Sequence, residues 1–146
     1  MPAGPTESSG RWYPVAKVYV AGKFEDYHRV RHIQEMAVEV GHQITFDWTQ
    51  DAEKILVHKY VQTDEEAIAN AEADVRGVRE CHVLLAIWHP QVYGTMMEIG
   101  MTLYQDKPIW LLGSWRYSVF WHRPNVVELP LSADVIRRAL EEIYVG

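Results

Sequence analysis

The chain has 146 residues, with 20 Asp+Glu against 14 Lys+Arg and a formal net charge of −6. Hydrophobic residues make up 48% and charged residues 23%, the balance of one folded domain with its own core rather than of a disordered chain. An acidic chain without a Lys/Arg run is a poor binder of nucleic acid or of an anionic membrane. No apolar stretch approaches the ~18 residues of a spanning helix, and a single cysteine, Cys81, excludes an internal disulfide or a cysteine-built zinc site.

Residues 1–14 are rich in Pro, Gly and Ser and carry no periodicity, so they read as a flexible leader before a single domain over 15–146. They have neither the basic flank nor the apolar block of a signal peptide, and the expected address is the cytoplasm. Lys17 to Ala21 is a β-branched and aromatic run closed by Gly22, a buried strand. Tyr27, Val30, Ile33, Ala37 and Val40 fall at helical spacing, and Gly41 stops that helix. Gln43 to Asp47 reads as the second strand. Thr63-Asp-Glu-Glu66 is a capping box, opening a helix to about Val78 whose buried face is marked by Ile68, Ala71, Val75 and Val78. His82 to Trp88 is almost wholly apolar, as a central parallel strand should be. Thr95-Met-Met-Glu98 reads as a second capping box, with its helix running to about Gln105. Lys107 to Leu112 is a fourth strand ended by Gly113, Asn125 to Glu128 a short fifth, and Ser132 caps a last helix.

Strict alternation of strands and helices means an α/β fold, a five-stranded parallel sheet with helices on both faces. Right-handed crossovers leave few topologies, and the flavodoxin-like (Rossmann-like) strand order 2-1-3-4-5 is the expected one. Such sheets bind ligands beyond the carboxyl ends of the strands where the order reverses, here between strands 1 and 3. Two loops should line that crevice, Gly22 to Glu25 and His89 to Thr95, with Asp47, Trp48 and Thr49 alongside. Neither loop carries the glycine fingerprint of a dinucleotide or P-loop site, and no cofactor is expected.

The spacing leaves Glu98 two roles that do not exclude each other. It is the N3 glutamate of a capping box, or a carboxylate held at a helix start for chemistry. Asp74 borders the buried face of its helix, a solvated charge or a group reaching the crevice. His28 and His32 are four apart but have no third ligand, so no metal is expected. Cys81 opens a buried strand without a base beside it and reads as a packed thiol. Trp48 and Trp88, at strand ends, are core residues or platforms for a planar ligand. Trp115, Tyr117, Phe120 and Trp121 cluster after strand 4, a composition found where subunits meet.

Lys17 to Phe24, Ala71-Glu-Ala-Asp74, Gly94-Thr-Met-Met-Glu-Ile-Gly100 and Lys107 to Leu112 together resemble the nucleoside 2-deoxyribosyltransferase family, which includes the 2′-deoxynucleoside 5′-monophosphate N-glycosidases. The similarity runs from about Lys17 to the last helix, except for the aromatic segment Val119 to Pro124. It implies a homodimer or higher homo-oligomer, and a small-molecule nucleoside or nucleotide as partner. It also implies Glu98 as the nucleophile that forms a covalent glycosyl-enzyme. Asp74 then handles the base and its proton, and Tyr19 and Gly22 line the sugar site. Phe24, Asp47, Trp48, Gly94 and Thr95 complete the expected substrate-binding set. Two positions depart from the pattern. Six residues before the nucleophile, where the transferases carry Asp and the monophosphate glycosidases Ser, this chain has Val92. Where the latter carry an arginine it has Glu25. Both departures favour a nucleoside or modified nucleoside over a nucleotide, and they motivate a second reading, a non-catalytic binding protein on the same fold. A glycosidase acting on a dinucleotide such as NAD is a third reading, weakened by the missing glycine loop.

Overall fold

The computed structural model describes residues 15–143, so the expected leader lies outside the described residues. Five strands, β1 (Lys17–Ala21), β2 (Gln43–Ile44), β3 (Val83–Ile87), β4 (Ile109–Leu112) and β5 (Val126–Leu129), form one parallel sheet in the order β2-β1-β3-β4-β5. That is the expected topology. The register aligns Tyr19 with Leu84, Leu84 with Ile109, and Ile109 with Val126.

The helices are α1 (Tyr27–Glu39), α2 (Thr49–Leu56), α3 (Asp64–Glu80), α4 (Tyr93–Tyr104) and α5 (Ala133–Glu141). α1 packs with α5 and α3 packs with α4, so the two pairs cover opposite faces of the sheet. All five residues of β3 are buried, because a central strand between two helical layers has no wet side. Leu84, Leu85, Ile87, Ile109, Leu111 and Leu112 are fully buried, each contributing about 1.5–3 kcal/mol by removal from water. His42 ties the helical layer to the sheet edge. Its Nδ1 accepts from the Ala16 amide at 3.1 Å, which leaves Nε2 to donate to the Leu140 carbonyl at 2.7 Å.

The start of α3 carries the expected reciprocal capping box between Thr63 and Glu66, and Gly41 ends α1 with φ at 100°, a conformation that costs any other residue more. Four expectations are corrected. The second strand is only two residues long, and the chain turns at Asp47 into α2, which the sequence reading did not anticipate. The Asp47 carboxylate accepts from the Thr49 amide at 2.9 Å and from its hydroxyl at 2.5 Å, so this aspartate starts a helix rather than ending a strand. α4 begins at Tyr93, not at Thr95. Thr95 is therefore buried inside the first turn, and Thr95–Glu98 is not a capping box. On α3, Ile68 is 64% exposed and Ala71 is exposed too. Seventeen helical residues span roughly 25 Å whereas a five-residue strand spans roughly 16 Å, so the helix outruns the sheet that covers Val78. Finally, Cys81 does not open β3. It is the residue that ends α3, and burial pushes its thiol up to about 11.

Candidate active site

Three elements meet beneath the carboxyl end of β1. Tyr19 points from β1 toward the α3/α4 layer and is 1% exposed. Its hydroxyl lies 2.5 Å from Glu98 Oε2 on α4 and 3.2 Å from Asp74 Oδ1 on α3. Both carboxyl oxygens touch one phenolic oxygen, so they are at most about 6 Å apart, close enough for both groups to flank one bond.

Two backbone features allow this approach. Glu98 is the sixth residue of α4, so its side chain is free of the helix end and turns to Tyr19 instead of capping. Gly77 on α3 faces the tyrosine ring. A Cβ there would sit 2.9 Å from the Phe46 Cβ and 3.0 Å from the Tyr19 ring carbons. Sequence reasoning missed this residue, although a glycine inside a helix costs about 1 kcal/mol against alanine and asks for a packing reason.

Electrostatics follow from burial. Desolvation raises Glu98 to about 7, against its ordinary 4.5. The Tyr19 hydrogen bond pulls it down and the charge of Asp74 pushes it further up. Asp74 is also raised, first by burial and in smaller part by Asp51, with the Tyr19 hydrogen bond opposing. Tyr19 is raised by burial and by both carboxylates, so it stays protonated. A phenol has one hydrogen to donate. Given to Glu98 at the shorter distance, it leaves Asp74 satisfied only when Asp74 carries a proton and donates it to the phenolic oxygen. The trio thus favours one ionised and one protonated carboxyl, a pattern that separates nucleophile from acid.

These groups open into a pocket of about 510 Å³. Of the expected residues, Tyr19, Gly22, Phe24, Trp48, Asp74, Gly94, Thr95 and Glu98 all line it. Phe24 and Trp48 stack with ring centres 5.7 Å apart and planes 6° apart, while the Trp48 indole donates to the Val20 carbonyl at 2.9 Å. Asp47 does not line the pocket. It faces a different groove between α1 and α2. Trp88 lines a separate recess. Val75, Met97 and Met101 add apolar wall, and Lys23 is bound to Gln91 at 2.5 Å and to Glu25 at 3.5 Å. Among the described residues no group of three or more His, Cys, Asp or Glu side chains is placed to hold a metal ion, and no helix is long and apolar enough to cross a membrane.

Residues 18–125 match the family model for nucleoside 2-deoxyribosyltransferase. The chain belongs to the nucleoside 2-deoxyribosyltransferase family. It is an enzyme of that kind. The same fold occurs in the CMP N-glycosidase BcmB of Clostridium botulinum, at a TM-score of 0.59 and 19% identity over 86% of this chain and 98% of that one. It also occurs in the 2-deoxyribosyltransferase of the psychrotolerant bacterium Bacillus psychrosaccharolyticus, at 0.61 and 16% identity over 88% and 92%. No curated protein matches the chain in sequence.

Proposed function

We propose that this family member cleaves or transfers the N-glycosidic bond of a (deoxy)nucleoside or related nucleotide, with Glu98 as nucleophile and Asp74 as acid. The observation that carries this reading is the single phenolic oxygen of Tyr19 within hydrogen-bond reach of both carboxyl groups. Glu98 attacks C1′ as the bond from C1′ to the base nitrogen breaks. The base leaves with the bonding pair and takes the proton of Asp74. The charge building on the sugar is oxocarbenium-like, and the Glu98 carboxylate below it neutralises that charge while forming a glycosyl ester. In the second half, Asp74 takes a proton from water or from an acceptor base. The freed oxygen or nitrogen then attacks C1′ and releases Glu98. Water as acceptor makes the enzyme a hydrolase, and a base makes it a transferase. The apolar stack of Phe24 and Trp48 suits a flat base above the pocket.

A homodimer or higher homo-oligomer is part of this reading. Ile68 on α3 and Tyr93, Met97 and Tyr104 on α4 are 64–91% exposed, a density of apolar surface uncommon on a monomer. Tyr93 and Met97 also line the pocket, so a second copy seated on these helices would narrow its mouth. Sedimentation of the full chain measures the assembly.

Incubation with a panel of nucleosides and 5′-monophosphates, followed by chromatography of released base, tests the activity. Acid-quenched enzyme should gain the mass of the sugar on the peptide that holds Glu98, and Glu98→Gln should neither release base nor gain that mass. Unchanged base release by Glu98→Gln overturns the nucleophile assignment. Ligand-induced thermal stabilisation without any freed base leaves the alternative, a binding protein on the same fold.

A further inference from the structure

The aromatic segment after β4 builds a second cavity. A recess of about 200 Å³ lies between Trp88, His89, Pro90, Val92 and Met96 on one side and the stretch Trp115 to Trp121 on the other. At ~30 Å³ per water, it has room for one flat ring system.

Its walls are set in advance. The Trp115 indole donates to the carbonyls of Ala86 at 3.3 Å and Leu112 at 3.2 Å, and the Trp121 indole donates to the Arg116 carbonyl at 2.7 Å. The two rings meet edge to face, 6.0 Å between centres. Their N–H groups are therefore spent on the backbone, and what remains to a visitor is faces and edges of fixed rings. Fixed rings lose little freedom when they bind. Polar groups stand among them. Arg116 is exposed, and His89 Nδ1 accepts from the Gln91 amide at 3.0 Å, which places the ring's N–H at Nε2. Aromatic faces with a guanidinium and an imidazole N–H beside them suit a flat ring that bears acceptor atoms, rather than a bare hydrocarbon.

We propose that this recess is a binding site for a flat heteroaromatic ring, separate from the place of the base that Asp74 serves. Val92 lines both cavities, so one aliphatic side chain divides them. Their arrangement follows the sheet order. The base leaves toward α3 and the stack of Phe24 and Trp48, on the β1 side of Glu98, whereas the recess lies at the ends of β3 and β4. A ring there has two sources, a free heterocycle, or a substituent on the end of the substrate's sugar that points away from the base.

The six indole N–H signals of the chain separate the sites. In ¹H–¹⁵N spectra of the full chain, titration with free adenine should shift the Trp115 and Trp121 signals saturably, whether or not the Trp48 signal moves. Trp121→Ala, at a half-buried surface position, should weaken the effect at Trp115 at least about fivefold, the scale of one stacking contact. The conservative Trp121→Phe should restore most of it. A nucleoside carrying a 5′-O-(pyridin-3-ylmethyl) group decides the source. Joint movement of Trp48 and Trp115 at a concentration well below that needed by either part assigns a tethered ring, and independent movement assigns a free one. No saturable shift at Trp115 or Trp121 with adenine, cytosine or the pyridylmethyl nucleoside overturns the proposal. So does a shift of those signals with protein concentration alone, which would mean that a second copy covers the recess. Since the readout is binding, an inactive Glu98→Gln protein serves equally well, and loss of the catalytic reading leaves this one standing.

Discussion

The chain offers two large cavities of opposite character. The groove between α1 and α2 holds about 990 Å³, nearly twice the 510 Å³ of the pocket beneath β1. It is lined by Arg31, Glu35, Glu39, Asp47, Glu53, Lys54 and His58, a richer set of charges than the pocket has. Yet two of its carboxylates are held in surface ion pairs. Arg31 pairs with Glu53 at 2.9 Å, and Glu39 with Arg137 at 2.6 Å. In the smaller pocket two carboxyl groups are drawn out of water toward one tyrosine, while the lysine of its lining, Lys23, is held by Gln91 and Glu25. Room and charge do not make a reactive site. Desolvated groups of like sign, brought to one point by separate elements, do.

Breaking each cavity in turn should show this difference, most strongly at Glu98. Glu98→Gln removes the nucleophile and should lower kcat by ~10⁴ or more, the scale seen when a covalent catalyst is lost, measured as base release in single turnovers. Asp74→Asn keeps the shape but not the acid, and a loss of about 10²–10³ in kcat is expected. That loss should shrink for substrates whose base leaves without protonation, and an equal loss for all bases would remove the acid role.

The active form holds one proton between Asp74 and Glu98. With Glu98 attacking as the carboxylate and Asp74 giving the proton, the kcat/KM profile should rise with pH through an acidic limb near pH 7, where Glu98 gives up its proton, and fall where Asp74 loses its own. Tyr19→Phe deletes the hydrogen bond that lowers Glu98, so the acidic limb should move to higher pH. An unmoved limb means that Tyr19 does not set the titration. Stability carries the same signature. Between 4.5 and about 7 the folded chain holds a Glu98 proton that the unfolded chain has released, so stability falls as pH rises through that window. Denaturant midpoints of Glu98→Gln should lack this slope.

Gly77→Ala should cost about 1–3 kcal/mol by crowding Phe46 and the Tyr19 ring, and should lower kcat as well. In the large groove, Arg31→Ala should change stability by under about 1 kcal/mol and leave kcat as it was. A large loss of activity there would reverse the comparison.

Much of this was legible in the residues. The wholly apolar β3, the Thr63 box and the glycine stop at Gly41 are local signals, and local signals dictated the alternation from which the strand order follows. Glu98 was found as a candidate because a parallel sheet can hold a ligand at only one kind of place, whereas spacing left Asp74 open and its role came from the family resemblance. The start of α4 was misread because Gly94, a poor helix former, sits second in the helix and hides it, while Thr95-x-x-Glu98 imitates a cap. α2 was missed because Phe46 and Trp48 continue the apolar tone of β2, though Ala52, Ile55 and Leu56 keep helical spacing. That Asp74 and Glu98 converge on Tyr19, and that Gly77 makes room for the ring, depends on how three elements cross, which no single segment encodes.

Tyr19 belongs to the trio proposed to react and also to the middle of the sheet, paired in register with Leu84 and sealed from solvent. The proposed catalytic centre is thus anchored in the most protected layer of the molecule instead of on a mobile loop. Heat should accordingly leave no interval in which a folded but inactivated enzyme accumulates through loss of this trio. The temperature at which turnover fails and the temperature at which the sheet comes apart should coincide.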